Sequence, residues 1–170
     1  MLIDSTGMKA DIHLLKSTMD SKRFKKYKRL IKLMNIYPPY FFSGIKVIDY
    51  NDDFTFFKVR LKLTWYNKNL VGTAFGGSLY AMCDPFFMFI LLINLGEQYI
   101  VWDKAASIDF QRPGKGTVYA EFSIPEEKIK IVKEEVDELG KKVFTFPCEI
   151  KDKEGKVIAK LSKDVYVRRK

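Results

Sequence analysis

An α+β fold, with an antiparallel curved sheet wrapped around one long central helix, is predicted by three features of the sequence. Segments with a two-residue apolar period come in successive pairs joined by turn residues, the pattern of antiparallel hairpins. Between the first two pairs, residues 76–95 are apolar on all sides and poor in β-branched residues, which fits a helix buried over most of its surface. The length, 170 residues with a 47% hydrophobic composition, supports one core and is short for two. The chain therefore reads as a single domain, residues 1–170, with an N-terminal helical extension at 1–39 and the core at 40–170.

In the extension, Ser17 followed by Asp20 is a capping pattern, and Phe24, Tyr27, Leu30, Ile31 and Met34 recur at helical spacing among lysines and arginines. This predicts an amphipathic basic helix that stops before Pro38-Pro39. A membrane-surface or partner helix has that pattern, and so does a helix covering a core with its charged face in water, the plainer reading. Residues 44–49 form a weak strand, Asn51-Asp52-Asp53 a turn, and residues 57–65 a strand alternating Phe57, Val59, Leu61, Leu63 and Trp65 with polar partners. Together they make a first hairpin. Pro85 should kink the central helix.

Residues 100–110 and 117–124 both alternate and flank the Arg-Pro-Gly-Lys-Gly run at 112–116, which reads as a second hairpin. Ser123 caps a short helix with Pro125 in its first turn, and Gly140 stops it. Residues 143–150 and 157–167 then close the fold as a hairpin around a turn at 152–155. The curved sheet covers one side of the central helix, and a second copy of the protein is the simplest cover for the other. No internal repeat or low-complexity linker interrupts this order.

The net charge of +9 invites polyanions, but the lysines are spread along the chain and no nucleic-acid-binding signature accompanies them. Nucleic acid is not the expected partner; a phosphate-bearing small molecule suits the same field. Cys83 and Cys148 lie in apolar runs with no secretory signal pattern, so free thiols in the cytoplasm are expected. Residues 85–95 are about half the roughly 20 residues that span a bilayer, so stable membrane insertion is not expected. His13 is the only histidine, which removes Ser-His-Asp and Cys-His catalysis and the common zinc sites. No metal or cofactor is expected, and any chemistry must run on carboxylates, hydroxyls and backbone.

Asn69, Gly72-Thr73, Phe75-Gly76-Gly77 and Asp84 stand at the entry to the central helix, and Arg112-Pro113 follows the third main strand. In these positions the chain resembles the hotdog-fold acyl-CoA thioesterases, nearest an uncharacterised branch in which an apolar residue, here Phe75, stands where the family has histidine. The resemblance covers residues 40–168. It implies a homodimer or tetramer that hydrolyses an acyl-CoA or related thioester in pockets between subunits, the glycine amides coming from one subunit and the acid from its partner. With Phe75 in place of histidine, a non-catalytic acyl-CoA or fatty-acyl binding protein is the alternative.

The residues fit that chemistry. Water attacking a thioester carbonyl generates an oxyanion, and the N–H groups of Gly76 and Gly77 at a helix start are donors for it. Asp84 in an apolar surround should have a raised pKa and serve as general base or nucleophile, by water activation or by an anhydride route. Asp-Pro is also a helix-cap pattern, so Asp84 has a purely structural reading. Asn69 could hold the attacking water or shape a turn; Gly76-Gly77 could instead allow close packing. Phe75 and Thr73, beside the glycines, are candidate substrate-binding residues. Asp103 and Ser107 stand where family members place a polar helper and are otherwise ordinary strand residues. Arg112 and Lys115 are candidates for the CoA phosphates. Phe86, Phe87 and Phe89 read as an aromatic wall for an apolar or aromatic tail, and Cys83, expected to lack a cationic neighbour, reads as a small core residue.

Overall fold

The computed structural model of the chain describes residues 21–170. His13, Ser17 and Asp20 lie outside the described residues. The chain falls into two compact units, Met1–Leu33 and Met34–Lys170. Helix α1 (Ser21–Met34) carries the basic pattern, with Lys25, Lys26, Arg29 and Lys32 exposed and no acidic residue along its length.

The second unit holds α2 (Pro38–Ser43), β1 (Ile45–Tyr50), β2 (Phe56–Lys62), α3 (Gly76–Ala81), α4 (Phe86–Leu95), β3 (Tyr99–Phe110), β4 (Thr117–Ser123), α5 (Glu126–Leu139), β5 (Lys141–Asp152) and β6 (Val157–Arg169). Pro38-Pro39, expected only as a stop, starts α2, because proline suits a first turn whose N–H groups have no intrahelical acceptor. Gly44 ends α2 at φ +74°, where a Cβ would lie 2.5 Å from both the Asn67 amide and the Lys62 carbonyl, so conformation and space both call for glycine. Strand β2 stops at Lys62 rather than at 65. There the Asn67 side chain accepts from the Thr64 N–H at 2.7 Å and donates to the Lys62 and Ser43 carbonyls, turning the chain outward and leaving Trp65 exposed.

The six strands form one antiparallel sheet in the order β1-β2-β4-β5-β6-β3. The first and closing hairpins are present as β1–β2 and β5–β6. The second is not: β3 pairs with β6, from Tyr99 opposite Arg169 to Phe110 opposite Ala159, and stands at the end of the sheet. Both edges of β4 are already taken, by β2 along its length and by β5 from Val118 to Ala120. Residues 111–116 are a strap across the sheet. The Gln111 and Arg112 N–H groups donate to the Ile158 carbonyl, Gly114 accepts from Ala74, and Gly116 accepts from Leu63.

The segment Gly76–Leu95 has the length and apolarity of a membrane span, but it is two helices separated by residues 82–85, a sharper break than a kink. Helix α4 buries Phe86, Phe87, Ile90, Leu91, Ile93 and Leu95, packing on β3, β4, β6 and α5. The chain's own α5 also packs on it, contributing buried Ile129, Val132 and Val136. Helix α5 has no side-chain cap; Ser123 ends β4 instead, and Glu126 and Glu127 in the first turn complement the positive end of the helix. Phe86 and Phe87 belong to this core, stacked at 4.8 Å on Phe122 and 5.1 Å on Phe146 respectively, so these two rings are not an open pocket wall.

Candidate active site

Alternation along β6 points Leu161, Val165 and Val167 into the core, and Lys163 shares their register. A strand that places an ammonium among inward residues needs partners for it, since a buried unpaired charge is costly. Two carboxylates supply them. Lys163 Nζ lies 2.7 Å from Asp84 Oδ1 and 3.1 Å from Asp103 Oδ2, and the Lys163 side chain is only 2% exposed. Asp84 comes from the break between α3 and α4. Asp103 comes from β3 in the same inward register as Tyr99 and Val101, beside a bulge between Asp103 and Ala105 that sits at the site.

The Asp84 backbone is pinned separately: its N–H donates to the Ala81 carbonyl at 3.2 Å, and its carbonyl accepts from the buried Tyr40 hydroxyl of α2. The N-cap of α4 is Pro85 and no side chain caps it, so the Asp84 carboxylate is not spent on capping. Half of that side chain, 48%, remains exposed.

These contacts correct the expected electrostatics. Burial pushes the Asp84 carboxyl up, but the hydrogen bonds from Asp103 and Lys163 outweigh it and hold the group below the usual aspartate range. The upward shift falls on Asp103, which burial and its hydrogen bond to the Asp84 carboxyl raise to about 6. Lys163 is opposed by burial, yet its bonds to Asp84 and then Asp103 raise it and keep it charged. Cys83 does have a cation nearby, Lys163, but its bond to Cys148 and its burial push the thiol up, which suits the core role expected for it.

The sign of the Asp103 shift gives a pH dependence. A carboxyl raised from 3.8 to about 6 on folding adds stability that is complete below the lower value and is lost as pH rises through the upper one. Relative to Asp103→Asn, the wild type should therefore lose melting temperature between pH 4 and 7 in thermal scans. Parallel profiles for the two proteins would contradict the shift.

The other expected site residues make no hydrogen bond to this cluster among the described residues. Asn69 is committed to its loop: Oδ1 accepts from the Val71 and Thr73 N–H groups, and Nδ2 donates to Thr73 Oγ1 at 3.0 Å. It shapes the approach to Phe75. At the start of α3, a Cβ on Gly77 would lie 2.3 Å from the Phe75 ring and one on Gly76 3.0 Å from the Phe110 ring, so close aromatic packing accounts for both glycines. The Gly76 and Gly77 N–H groups donate to no acceptor among the described residues. No hydrogen bond joins either glycine to Asp84 among the described residues. Arg112 donates to the Val157 carbonyl at 2.9 Å, and Lys115 and Ser107 are exposed. Lys163 is the residue that sequence reasoning missed; its signal was a lysine at an apolar position of a two-residue period.

Solved structures share this architecture. A Pseudomonas aeruginosa protein of unknown function described as a probable thioesterase aligns over 75% of this chain and 85% of its own, at 21% identity and TM-score 0.67. A Haemophilus influenzae thioesterase aligns over 84% and 90%, at 14% identity and TM-score 0.61. The E. coli PaaI protein from the phenylacetic acid degradation operon aligns over 85% and 92%, at 20% identity and TM-score 0.58. No curated protein matches the chain. The fold is the hotdog fold, with an added N-terminal helix. The chain belongs to the DUF4442 family, a domain of unknown function, whose model matches residues 27–167.

Proposed function

We propose that the protein hydrolyses an acyl thioester of the acyl-CoA class to a free acid and a thiol. The observation that carries the reading is Asp84: an ionised, half-exposed carboxylate, held by a buried lysine at the break of the central helix and unused as a cap. Asp84 takes a proton from water as the water oxygen bonds to the thioester carbon. The tetrahedral oxyanion is met by the free N–H groups of Gly76 and Gly77. When the C–S bond breaks, the leaving thiolate recovers the proton from Asp84. Arg112 and Lys115 would face the CoA phosphates. The fold-level likeness to proteins named as thioesterases supports the reading.

Phe75 lying against Gly77 favours a second reading, a binding protein without turnover. Release of free thiol from a panel of acyl-CoA esters separates the two. Thiol release that tracks the folded protein supports hydrolysis, and tight CoA-ester binding without release supports the binder.

The site is proposed to be shared between copies, because the described residues of one chain leave Asp84 unbonded to the glycines and leave the outer edge of β3 unpaired over twelve residues, with Trp102 and Phe110 exposed. Light scattering at micromolar concentration should return at least a dimer mass. A monomer mass would end the shared-site reading.

A further inference from the structure

We propose that Lys163 is a positioning residue for Asp84: seated on Asp103, it grips one carboxylate oxygen of Asp84 and leaves the exposed side of that carboxylate to meet substrate. This rests on the reading of Asp84 as the base. The geometry is specific. An ammonium has three N–H donors; two reach Asp84 Oδ1 and Asp103 Oδ2, and the charge also lies 5.6 Å from the centre of the Tyr80 ring. Lys163 sits on a central strand paired on both sides, with Phe146 opposite it on β5 and Ala106 on β3, so the clamp has a rigid base. The Asp84 main chain is fixed independently by Tyr40, which leaves the side-chain direction to Lys163.

Asp103 does more than anchor. Its Oδ1 is buried without a hydrogen-bond partner, while its carboxyl also hydrogen-bonds to Asp84, an arrangement suited to a carboxyl that carries the pair's proton. The remaining groups around the cluster are Tyr40 from α2, Tyr80 from α3, Cys83 from the same turn and Cys148 from β5. Burial pushes the Tyr40 hydroxyl far up and the Cys148 contact pushes the Cys83 thiol up, so those two stay neutral while the aspartates titrate. With Asp103 protonated, Asp84 and Lys163 balance; with both acids ionised, one negative charge is in excess. The hydrogen bond between the two acids splits them, and Lys163 adds to it by holding Asp84 down.

Carbon-13 NMR titration of the aspartate carboxyls in the full chain tests this without substrate, with assignments from Asp84→Asn and Asp103→Asn. In the wild type, Asp84 should titrate below the ordinary range and Asp103 near 6. In Lys163→Met, Asp84 should rise by about one pH unit or more, and the acid limb of kcat for acyl-CoA hydrolysis should follow it while KM changes less than about twofold. Lys163→Arg should restore both. If the Met variant does not fold, Lys163→Gln, which keeps hydrogen bonding without the charge, carries the same expectation. An Asp84 that titrates as in the wild type after the charge is removed overturns the proposal, as does an acid limb that does not move. A wild type whose aspartates titrate as stated but which releases no thiol overturns the thioesterase reading and still supports the grip of Lys163 on Asp84.

Discussion

Asp84→Asn should lower acyl-CoA hydrolysis by about two orders of magnitude or more, the usual scale for removing a general base. The amide keeps the size of the side chain, and its oxygen still accepts from Lys163, but it cannot take a proton from water. The fold should tolerate the change because Lys163 keeps Asp103 at 3.1 Å, so the buried ammonium is never left alone. Trading the charged acceptor of Lys163 for a neutral one should cost about 1 kcal/mol, a few degrees in melting temperature. Removing the neighbouring charge also lets Asp103 fall from about 6 toward the ordinary range, which offsets part of that cost at neutral pH. Stopped-time thiol release and a thermal scan on the same sample decide the matter. A variant that melts far below the wild type yet turns over normally per folded molecule would make Asp84 a structural anchor for Lys163 and nothing more.

The sequence shows which residues alternate but not which strands meet. The two-residue period of β3 and β4 is plain in Val101 and in Val118, Ala120 and Phe122, yet the partner of β3 is β6, some fifty residues away, because sheet order depends on which edges remain free. The break after Ala81 is legible through Pro85, and the glycine pair through its setting, whereas the rings that press on those glycines come from Phe75 and from distant Phe110. Asp84 stands out in its apolar run. Its electrostatics do not, since the groups that lower it are Asp103 on β3 and Lys163, 79 residues away on β6. A local reading could see only desolvation and so expected a raised value. Two quieter signals were present: Lys163 in the series Leu161, Val165, Val167, and Asp103 after Tyr99 and Val101, each a charged residue at an inward position. A lysine and an aspartate breaking the apolar phase of two strands, each without an explanation on its own, are mutual candidates for a buried pair.

Phe86→Ala should cost about 3–5 kcal/mol, the range for removing a fully buried aromatic side chain, and lower the melting temperature by roughly 10 °C or more. Phe86 is completely buried where α4 meets the sheet, its ring stacked 4.8 Å from Phe122 on β4 and 5.5 Å from Phe57 on β2. Neither strand can close the gap by itself, since β2 and β4 are bonded to each other along the full length of β4 and move only together. The cavity should therefore persist, with lost transfer energy and lost ring contacts adding. The variant also separates core from pocket. Phe86 was expected on the wall of an acyl-chain site, in which case its loss would change the preferred chain length before it changed stability. Packed as it is, the opposite order is expected: a large drop in denaturation midpoint, with chain-length preference per folded molecule unchanged. A shift in acyl preference at wild-type stability would mean that the ring leaves Phe122 to line a cavity when substrate binds.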